Sequence, residues 1–461
     1  MRSRSGWLNR TVLGTGLASG LGDLCYETAQ AVLPAFLALL GAPPALVGSI
    51  EGLADGLNSF TKLAVGYLGD RLGGRKPLAV LGYALTPLGG ALIALAAAWP
   101  MILIGRLLGW FGKGIRGPMR DAILAGAVGP EYRGRAFGLH RAADSLGAVL
   151  GPALAALALG GLSWSIGAPA ELPSPPTPEA AAQPLNADAA DVTSAVATAN
   201  SPPAGGASAE TEHRFRQVLW LAVIPGVLSA LSFALLVEDR GLAAKSKYEF
   251  AAALRRLPKS YRRYLAAVAL FAFGDFSPAL LILAVTNLMS PASSLLVAAQ
   301  WAAWFYVLRN AVQTLVSLPI GFLGDRWGLR RSLLTGYVLG AATGGGTALV
   351  FALGCNHLAV FAGLFVLSGA YAAFQEALEP AAAAAMLPES IRGVGYGSLG
   401  AVNGLGKLVS SGLVGWIWSL VSPTAAFALA TGLMASGSAA LAWAFFATGR
   451  RGRQDYASET E

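Results

Sequence analysis

The sequence has few charged residues and very little cysteine for its length. Asp, Glu, Lys and Arg make up 13% of its 461 residues and hydrophobic residues 55%. Soluble domains carry about 25% charged residues. This balance excludes an ordinary soluble protein and indicates a polytopic membrane protein in contact with the lipid bilayer. The two cysteines, Cys25 and Cys355, lie far apart in or near apolar segments, so we expect neither a disulfide nor a Cys-based metal site.

Motifs that supply chemistry are also absent from the sequence. It contains no G-x-x-x-x-G-K-(S/T) phosphate loop, no His-rich metal motif and no nucleophile elbow. We therefore expect no enzymatic activity, no ATP-driven transport, no cofactor and no resident metal. The net charge of +8 does not indicate a nucleic-acid partner, because the basic residues recur in alternate connections and do not form one patch.

Long apolar segments dominate the chain. Twelve of them reach the roughly 20 residues that a helix needs to cross about 30 Å of hydrocarbon. They lie near residues 12–40, 45–69, 77–98, 101–120, 136–161, 217–237, 264–288, 297–323, 332–354, 358–384, 396–420 and 424–446.

The basic residues orient these segments. Lysine and arginine are concentrated in connections 70–76, 120–135, 238–263, 325–331 and 388–392, and are absent from 41–44, 289–296, 355–357 and 421–423. The positive-inside rule then predicts that both termini are cytoplasmic. We expect the protein in the plasma membrane, which in a bacterium is the inner membrane.

One eleven-residue stretch occurs twice, each time between two apolar segments. It runs from Gly66 to Lys76 and again from Gly321 to Arg331. The shared residues are Gly66, Gly69, Asp70, Arg71, Gly73 and Arg75 in the first copy, and Gly321, Gly324, Asp325, Arg326, Gly328 and Arg330 in the second. Glycine permits a tight reversal of the chain, and a carboxylate can bind a neighbouring helix N-terminus or an arginine.

This repeated stretch resembles the signature loop between the second and third helices of the major facilitator superfamily, here also present between helices eight and nine. One additional residue, Gly74 or Leu329, separates the last glycine from the arginine. The resemblance implies an all-α fold of twelve transmembrane helices in two pseudo-symmetric six-helix bundles. It also implies that the stretch latches a cytoplasmic gate.

A second repeat supports the duplication, because Arg133–Gly138 matches Arg392–Gly397. We therefore divide the chain into two halves with a linker and a tail, and we expect a monomer. The predicted parts are residues 1–237 with a flexible outer loop at 163–213, the cytoplasmic linker 238–263, the second bundle 264–447 and the cytoplasmic tail 448–461.

Charged residues inside the spans are the candidates for function, because each costs roughly 2.5–3.5 kcal/mol at mid-membrane on insertion scales. The candidates for proton coupling are five carboxylates, Asp23, Glu27, Glu51, Asp55 and Asp144. Alternatively, these acids only neutralise nearby basic residues. The candidates for substrate binding are Arg106, Lys113, Arg141, Asp275, Arg309 and Glu376. Lys113 either binds an anionic group of the substrate or pairs with Asp23, and Pro278 predicts a kink in the seventh span.

The fifth span contains Gly147, Gly151 and Pro152 as G-x-x-x-G-P. This resembles the antiporter signature of the superfamily's exporters, although Ala155 and Ala156 replace its usual glycine pair. The same spacing alternatively serves a close helix crossing.

We predict proton-coupled export, by antiport, of a small organic compound. The first alternative is uptake, by proton symport or uniport, of an anionic or metal-chelate solute. A membrane sensor without transport is a further alternative, but the sequence offers no sizeable soluble domain for it.

Overall fold

The structure, a computed structural model, describes residues 7–69, 75–129, 132–160, 205–239, 257–388 and 392–447. These residues form helices and contain no strand. The first half contains α1 (Arg10–Leu39), α2 (Pro44–Gly69), α3 (Arg75–Leu95), α4 (Trp99–Ala127), α5 (Arg133–Leu159) and α6 (Gly205–Leu236). The second half contains α7 (Lys259–Ala272), α8 (Pro278–Met289), α9 (Leu295–Trp327), α10 (Leu329–Ala352), α11 (Leu358–Met386), α12 (Arg392–Leu420) and α13 (Pro423–Ala442), which continues as a π-helical turn at Trp443–Ala447.

Six of these helices are long and apolar enough to cross a membrane on length and composition alone. They are α3, α5, α6, α10, α11 and α13, with mean hydropathies between 1.3 and 2.2 in their most apolar windows. The other long helices are α1, α2, α4, α9 and α12. Each carries charged residues within its length, which lowers its hydropathy without shortening it.

The seventh span is interrupted where the sequence predicted a kink. α7 ends at Ala272 and α8 begins at Pro278, with the hydroxyl of Ser277 accepting the N–H of Ala279 as an N-cap. Proline at the first position of α8 needs no hydrogen-bond donor there. The Ser277 N–H donates to the Ser411 hydroxyl on α12 at 3.0 Å, so the interruption is fastened to a neighbouring helix.

Two predicted boundaries are wrong. The outer loop was expected to extend to residue 213, but α6 begins at Gly205. Glu212 forms an ion pair with Arg216 one turn later at 2.6 Å, which is helical i,i+4 spacing and stabilises this first part of α6. The linker was expected to reach residue 263, but α7 begins at Lys259. The rest of the predicted loop to residue 204, the linker between residues 240 and 256, and the tail all lie outside the described residues.

The two halves repeat one helix crossing. In the first half, Gly147 of α5 lies directly against the backbone of Gly20 on α1. In the second half, Gly406 of α12 lies against Ala272 of α7 in the same way. A side chain at either glycine would collide with backbone, so both crossings require glycine.

α2 of the first half and α12 of the second pack along their lengths. A Cβ added to Gly52 would lie 2.6 Å from the Leu408 carbonyl oxygen. A Cβ added to Gly48 would lie even closer to the Ser411 carbonyl oxygen. We name this contact the glycine seam (Gly48, Gly52, Leu408, Ser411). It lets the backbones of the two halves touch without intervening side chains.

We call the side of the bundle with connections 40–43, 353–357 and 421–422 the hairpin side, and the opposite side, where α1 and α12 begin, the termini side. A large apolar cluster fills the hairpin side and joins both halves. Its fully buried members include Phe36 and Phe215 from the first half and Ile282, Phe365 and Phe427 from the second. We name this cluster the apolar seal.

Gly328 joins α9 to α10 with no other residue between them. Its φ of 84° and ψ of 132° lie in a region that side chains rarely adopt. We expect Gly328→Ala to lower the stability of the folded protein by about 1–3 kcal/mol because of backbone strain. The measurement is thermal unfolding of the purified protein in detergent.

Gly432→Ala in α13 is the matched control, because an added Cβ there meets nothing within 4 Å. Alanine in a helix interior stabilises by about 0.5–1 kcal/mol relative to glycine. Equal midpoints for the two variants would contradict the assignment of strain to Gly328.

Candidate functional site

A cavity of about 1150 Å³ lies between the two halves. Helices α1, α2, α4 and α5 line it from the first half and α8, α9, α11 and α12 from the second. A smaller cavity of about 480 Å³ is lined by the second half and by Arg141 of the first half. The two cavities share Arg141, Arg309, Glu376 and Lys407 as lining residues, so they adjoin each other.

The large cavity is closed on the hairpin side and open on the termini side. The apolar seal contains side chains with essentially no exposed surface, including Phe36 and Phe427. By contrast, lining side chains toward the termini side are well exposed: Arg141 at 66%, Glu376 at 49% and Asp121 at 48%. In the part of the chain that the structure describes, the cavity is therefore open to water and solutes on the termini side.

The most buried ion pair of the site joins α4 to α2. Arg106 donates to both carboxylate oxygens of Glu51, with Nε–Oε1 at 2.9 Å and Nη2–Oε2 at 2.8 Å. The Gln30 side chain of α1 contacts both partners, and the Ser277 hydroxyl of the second half donates to Glu51 at 3.3 Å. Glu51 lines the cavity whereas Arg106 lies behind it. Arg106 is thus placed to position Glu51.

Lys113 does not pair with Asp23, which was one of the two options for it. Asp23 instead lies 3.4 Å from Nη2 of Arg116, in an ion pair that is nearly buried. The Lys113 ammonium lies over the faces of Tyr26 and Trp110, at 4.0 and 4.9 Å from the ring centroids. Aromatic faces attract cations but leave the charge unneutralised. Among the described residues, Lys113 has no carboxylate within 4 Å.

Asp144 belongs to a chain of polar contacts between α1, α4 and α5. It accepts a hydrogen bond from Ser19 at 2.8 Å, and Ser19 in turn accepts one from Arg120 at 2.9 Å. Asp144 also pairs with Arg141 at 3.6 Å. Arg141 reaches across the cavity to Glu376 on α11 at 2.9 Å, which makes these two substrate candidates an ion pair between the halves.

Two carboxylates in the cavity have no ion pair among the described residues. Glu27 accepts one hydrogen bond, from the Tyr306 hydroxyl of the second half at 2.7 Å. Asp55 has no hydrogen bond from a described side chain. Both lie close enough to Lys113 to interact with it electrostatically.

Arg309 is a cation held entirely by neutral groups. It donates to Ser368, Asn310 and Gln313 at 3.0–3.1 Å. Among the residues that the structure describes, no carboxylate lies within 4 Å of it. Its neighbour Asn310 donates to the Ala148 carbonyl of α5 at 2.8 Å and so links the halves.

Three acidic residues of the second half, Asp275, Glu376 and Glu379, line the smaller cavity. Asp275, in the interruption of the seventh span, lies 3.9 Å from the Lys407 ammonium and accepts a long hydrogen bond from Gln375. Glu379 is 2% exposed and is bound by Tyr337 and Asn403. Sequence reasoning did not assign Tyr26, Trp110 or Glu379 to the site. Only Glu379 offered a signal, as a carboxylate in an apolar segment.

Comparison with known proteins identifies the chain. The sequence profile of the Major Facilitator Superfamily matches residues 15–168 and 264–460. The chain belongs to the Major Facilitator Superfamily. It is thus an integral, multi-pass membrane transporter with twelve transmembrane spans in two pseudo-symmetric six-helix bundles.

Relatives agree with this assignment. An uncharacterized MFS-type transporter of Methanocaldococcus jannaschii is 26% identical over 421 residues, 91% of each chain. The multidrug resistance protein MdtH of Photorhabdus laumondii is 35% identical over 105 residues, which is 22% of this chain and 26% of that protein. The crystal structure of the nucleoside transporter NupG superimposes with a TM-score of 0.69 at 12% identity, covering 95% of this chain and 99% of that one, and supports the fold alone.

The repeated stretch of this transporter is described only in part. Gly66 and Gly69 lie in the last turn of α2, and Gly321, Gly324 and Asp325 lie in α9. Asp70, Arg71 and Gly73 lie outside the described residues, as does the side chain of Asp325. Arg326 is exposed. Arg330 donates to the Phe445 carbonyl at 3.0 Å, which connects the start of α10 to the π-helical turn that follows α13.

The glycines of the G-x-x-x-G-P stretch face α1 of the transporter. Gly147 lies on Gly20, and a Cβ at Gly151 would lie 2.8 Å from the Glu27 Cβ and 2.9 Å from the Thr28 nitrogen. The Gly151 carbonyl accepts a hydrogen bond from Thr28 at 3.1 Å. The close approach of α5 therefore holds Glu27 at its depth in the cavity.

The Arg106–Glu51 pair provides a stability test. We expect Glu51→Gln to destabilise the protein by about 3–5 kcal/mol, because it leaves a buried guanidinium without a counter-charge. Glu376→Gln removes an exposed partner of Arg141 and should cost only about 0–1 kcal/mol. Denaturation of the two purified variants in detergent measures the difference. A Glu51→Gln variant as stable as Glu376→Gln would contradict the positioning role of Arg106.

Proposed function

We propose that this transporter is a secondary active transporter that works by alternating access and exports a small organic compound in exchange for protons. The observation that carries the proposal is the cavity between the halves, open on one side and closed by the apolar seal on the other. Alternating access requires such a cavity at the interface of two repeats. Its volume of about 1150 Å³ is slightly above the range of about 300–1,000 Å³ that is typical of small-molecule sites.

The proposed cycle turns the two halves about the glycine seam. Bare backbone contacts between α2 and α12 permit this motion with little repacking of side chains. On the termini side the bridge from Arg141 to Glu376 spans the halves at an exposed position, where an ion pair contributes only about 0–1 kcal/mol. Such a bridge can break and re-form in every cycle. The repeated stretch, with Asp70 and Asp325, is proposed as the latch that closes this side.

The orientation in the membrane follows from the distribution of basic residues. Arg10, Arg133, Arg135 and Lys259 all lie at helix ends on the termini side. Lysine and arginine are enriched in cytoplasmic connections, so we place both termini and the cavity opening in the cytoplasm of the plasma membrane. In this state the transporter would load its substrate from the cytoplasm.

Glu27 and Asp55 are the proposed proton carriers among the five candidate carboxylates. Asp23, Glu51 and Asp144 each have an arginine within 4 Å. Protonation of Asp23 or Glu51 would leave a buried guanidinium without its partner. Asp144 is bound by Ser19 as well as by Arg141, so its protonation would break two polar contacts. Glu27 and Asp55 can bind and release a proton without that cost, and both line the cavity.

Two observations favour export. The G-x-x-x-G-P stretch resembles the antiporter signature, and a stretch of 105 residues is similar to a protein named for multidrug resistance. Protons flowing inward down their gradient would then drive the organic compound outward.

Reconstituted liposomes test the coupling. A panel of organic dyes that includes ethidium is offered to the purified transporter, and an entrapped pH dye reports proton movement when a transported dye is added. We expect the wild type to move protons opposite to the dye. Asp55→Asn and Glu27→Gln should lose dye-driven proton movement by about tenfold or more, because the exchanging group is gone.

Glu212→Gln is the matched control, since Glu212 pairs with Arg216 on α6 and does not line the cavity. Dye flux that is independent of the pH gradient in the wild type would contradict proton coupling. Proton movement in the same direction as the dye would contradict antiport.

Lys113 and Arg309 favour a second candidate function, the uptake of an organic anion together with a proton. They are cations from opposite halves, and neither has an ion-pair partner among the described residues. An anionic group between them would be bound by both halves at once. Both cations interact electrostatically with Glu27, which would carry the accompanying proton.

Uptake of small carboxylates and phosphonates by the same liposomes tests this candidate. We expect Lys113→Gln and Arg309→Gln to raise KM for the anion by about tenfold or more, the loss of one charge-assisted contact. Lys62→Gln is the control, because Lys62 also lines the cavity but is exposed near its opening. A KM unchanged in the Lys113 and Arg309 variants, or no anion uptake by the wild type, would exclude this candidate.

A further inference from the structure

A buried carboxylate of the second half, Glu379, is used by none of the steps described so far. It lies on α11, lines the smaller cavity and is 2% exposed. An ionisable residue within a membrane span is expensive to place and is in most cases functional. The question is which group neutralises it.

Neutral donors hold both carboxylate oxygens of Glu379. The Tyr337 hydroxyl of α10 donates to Oε1 at 2.7 Å, and the Asn403 amide of α12 donates to Oε2 at 2.6 Å. The Tyr264 hydroxyl of α7 donates to the backbone carbonyl of Glu379 at 3.1 Å. Three neighbouring helices therefore fix this residue, and none of them supplies a cation.

The charged and titratable groups that face Glu379 are few. Among the residues that the structure describes, they are Tyr261 and Tyr264 of α7, Tyr337 of α10, Tyr371 on its own helix, and Asp275 in the interruption between α7 and α8. The nearest lysine of the smaller cavity, Lys407 of α12, is engaged with Asp275 at 3.9 Å. Among the described residues no lysine, arginine or histidine lies within 4 Å of the Glu379 carboxylate.

The corresponding place in the first half is built differently. There, Arg116 and Arg120 of α4 bind Asp23 and, through Ser19, Asp144. The internal repeat aligns Asp144 with Asn403. In the second half, an acid (Glu379) lies on the fourth span of the bundle and an amide (Asn403) on the fifth. In the first half, arginines lie on the fourth span and an acid (Asp144) lies on the fifth. At this place the acids of the first half have arginine partners, whereas Glu379 has none among the described residues.

We propose that Glu379 binds and releases a proton during the transport cycle, which makes it a second coupling group located in the second half. The proton is the ligand that can neutralise a carboxylate surrounded by hydroxyl, amide and apolar groups. It can reach Glu379 through the smaller cavity, which adjoins the large cavity at Arg141, Arg309 and Lys407. This inference rests on the proposed proton coupling and adds a site to it.

Infrared difference spectroscopy tests the proton binding without any substrate. The purified full-length protein in liposomes is compared in acidic and alkaline buffer, and the C=O stretch of protonated carboxyl groups is followed. We expect one resolved component of this band to be missing from Glu379→Gln and retained in Glu376→Gln. Glu376 is the matched control, one turn away on the same helix but half exposed and paired with Arg141. Spectra of Glu379→Gln that superimpose on those of the wild type would overturn the proposal.

Tyr337→Phe keeps the carboxyl group and removes one of its donors, so it serves if Glu379→Gln does not fold. The same component of the band should change in frequency and in titration midpoint. An unchanged component would contradict the assignment to Glu379.

Transport measurements then separate this inference from the proposed function. For a dye that the wild type exchanges for protons, Glu379→Gln should transport with about one proton fewer per dye and with a flatter pH profile. A coupled wild type whose proton-to-dye ratio is unchanged in Glu379→Gln would overturn the inference alone. A wild type that moves dye without protons would overturn the proposed function instead.

Discussion

The buried pair of Arg106 and Glu51 is the interaction on which the arrangement of the first half depends. It joins α4 to α2, holds α1 through Gln30 and is contacted from the second half by Ser277. Two desolvated charges are tolerable only when each satisfies the other and the remaining hydrogen bonds are made. The pair therefore fixes three helices in one geometry. The interruption of the seventh span lies against it, so the position of the second half is linked to the same carboxylate.

Around this pair the charges of the cavity fall into two kinds. Asp23, Asp144 and Glu51 have arginine partners, which makes them parts of the framework. Glu27, Asp55 and, in the second half, Glu379 are held by neutral donors or by none. In the proposed cycle only the second kind exchanges protons. The first kind keeps its charge and so preserves the shape of the cavity while the second changes.

The sequence was sufficient to predict most of the fold and only part of the site. Apolar length, alternating basic connections and two repeats predicted twelve spans in two related halves, because membrane insertion makes these patterns obligatory. The interruption at Pro278 was also foreseen in place, since proline cannot continue a helix without a break in its hydrogen bonds. The predicted start of α6 was wrong because residues 205–213 are small or polar and resemble a loop in composition. Their helix is stabilised by the Glu212–Arg216 pair, which composition does not reveal.

The sequence alone did not predict which charged residues of the site form ion pairs with each other. The sequence left open whether Lys113 pairs with Asp23, and in the structure Arg116 is the partner of Asp23. That choice depends on the tight crossing of α3 and α4, where Gly82 lies close to the Arg116 backbone and places that guanidinium over Tyr83. The aromatic surroundings of Lys113 had no sequence signal either, because Tyr26 and Trp110 look like ordinary packing residues until helices α1 and α4 are placed side by side.

The apolar seal has a consequence for how the protein responds to temperature. In the proposed cycle the glycine seam moves with little repacking, so most of the free-energy cost of opening the hairpin side is the hydration of large buried side chains such as Phe36 and Phe427. Exposing apolar surface to water raises the heat capacity, and enthalpies that accompany such exposure change steeply with temperature. The turnover of this protein should therefore not follow a straight Arrhenius line. The curvature of the Arrhenius plot would report how much of the apolar seal becomes hydrated in the rate-limiting step.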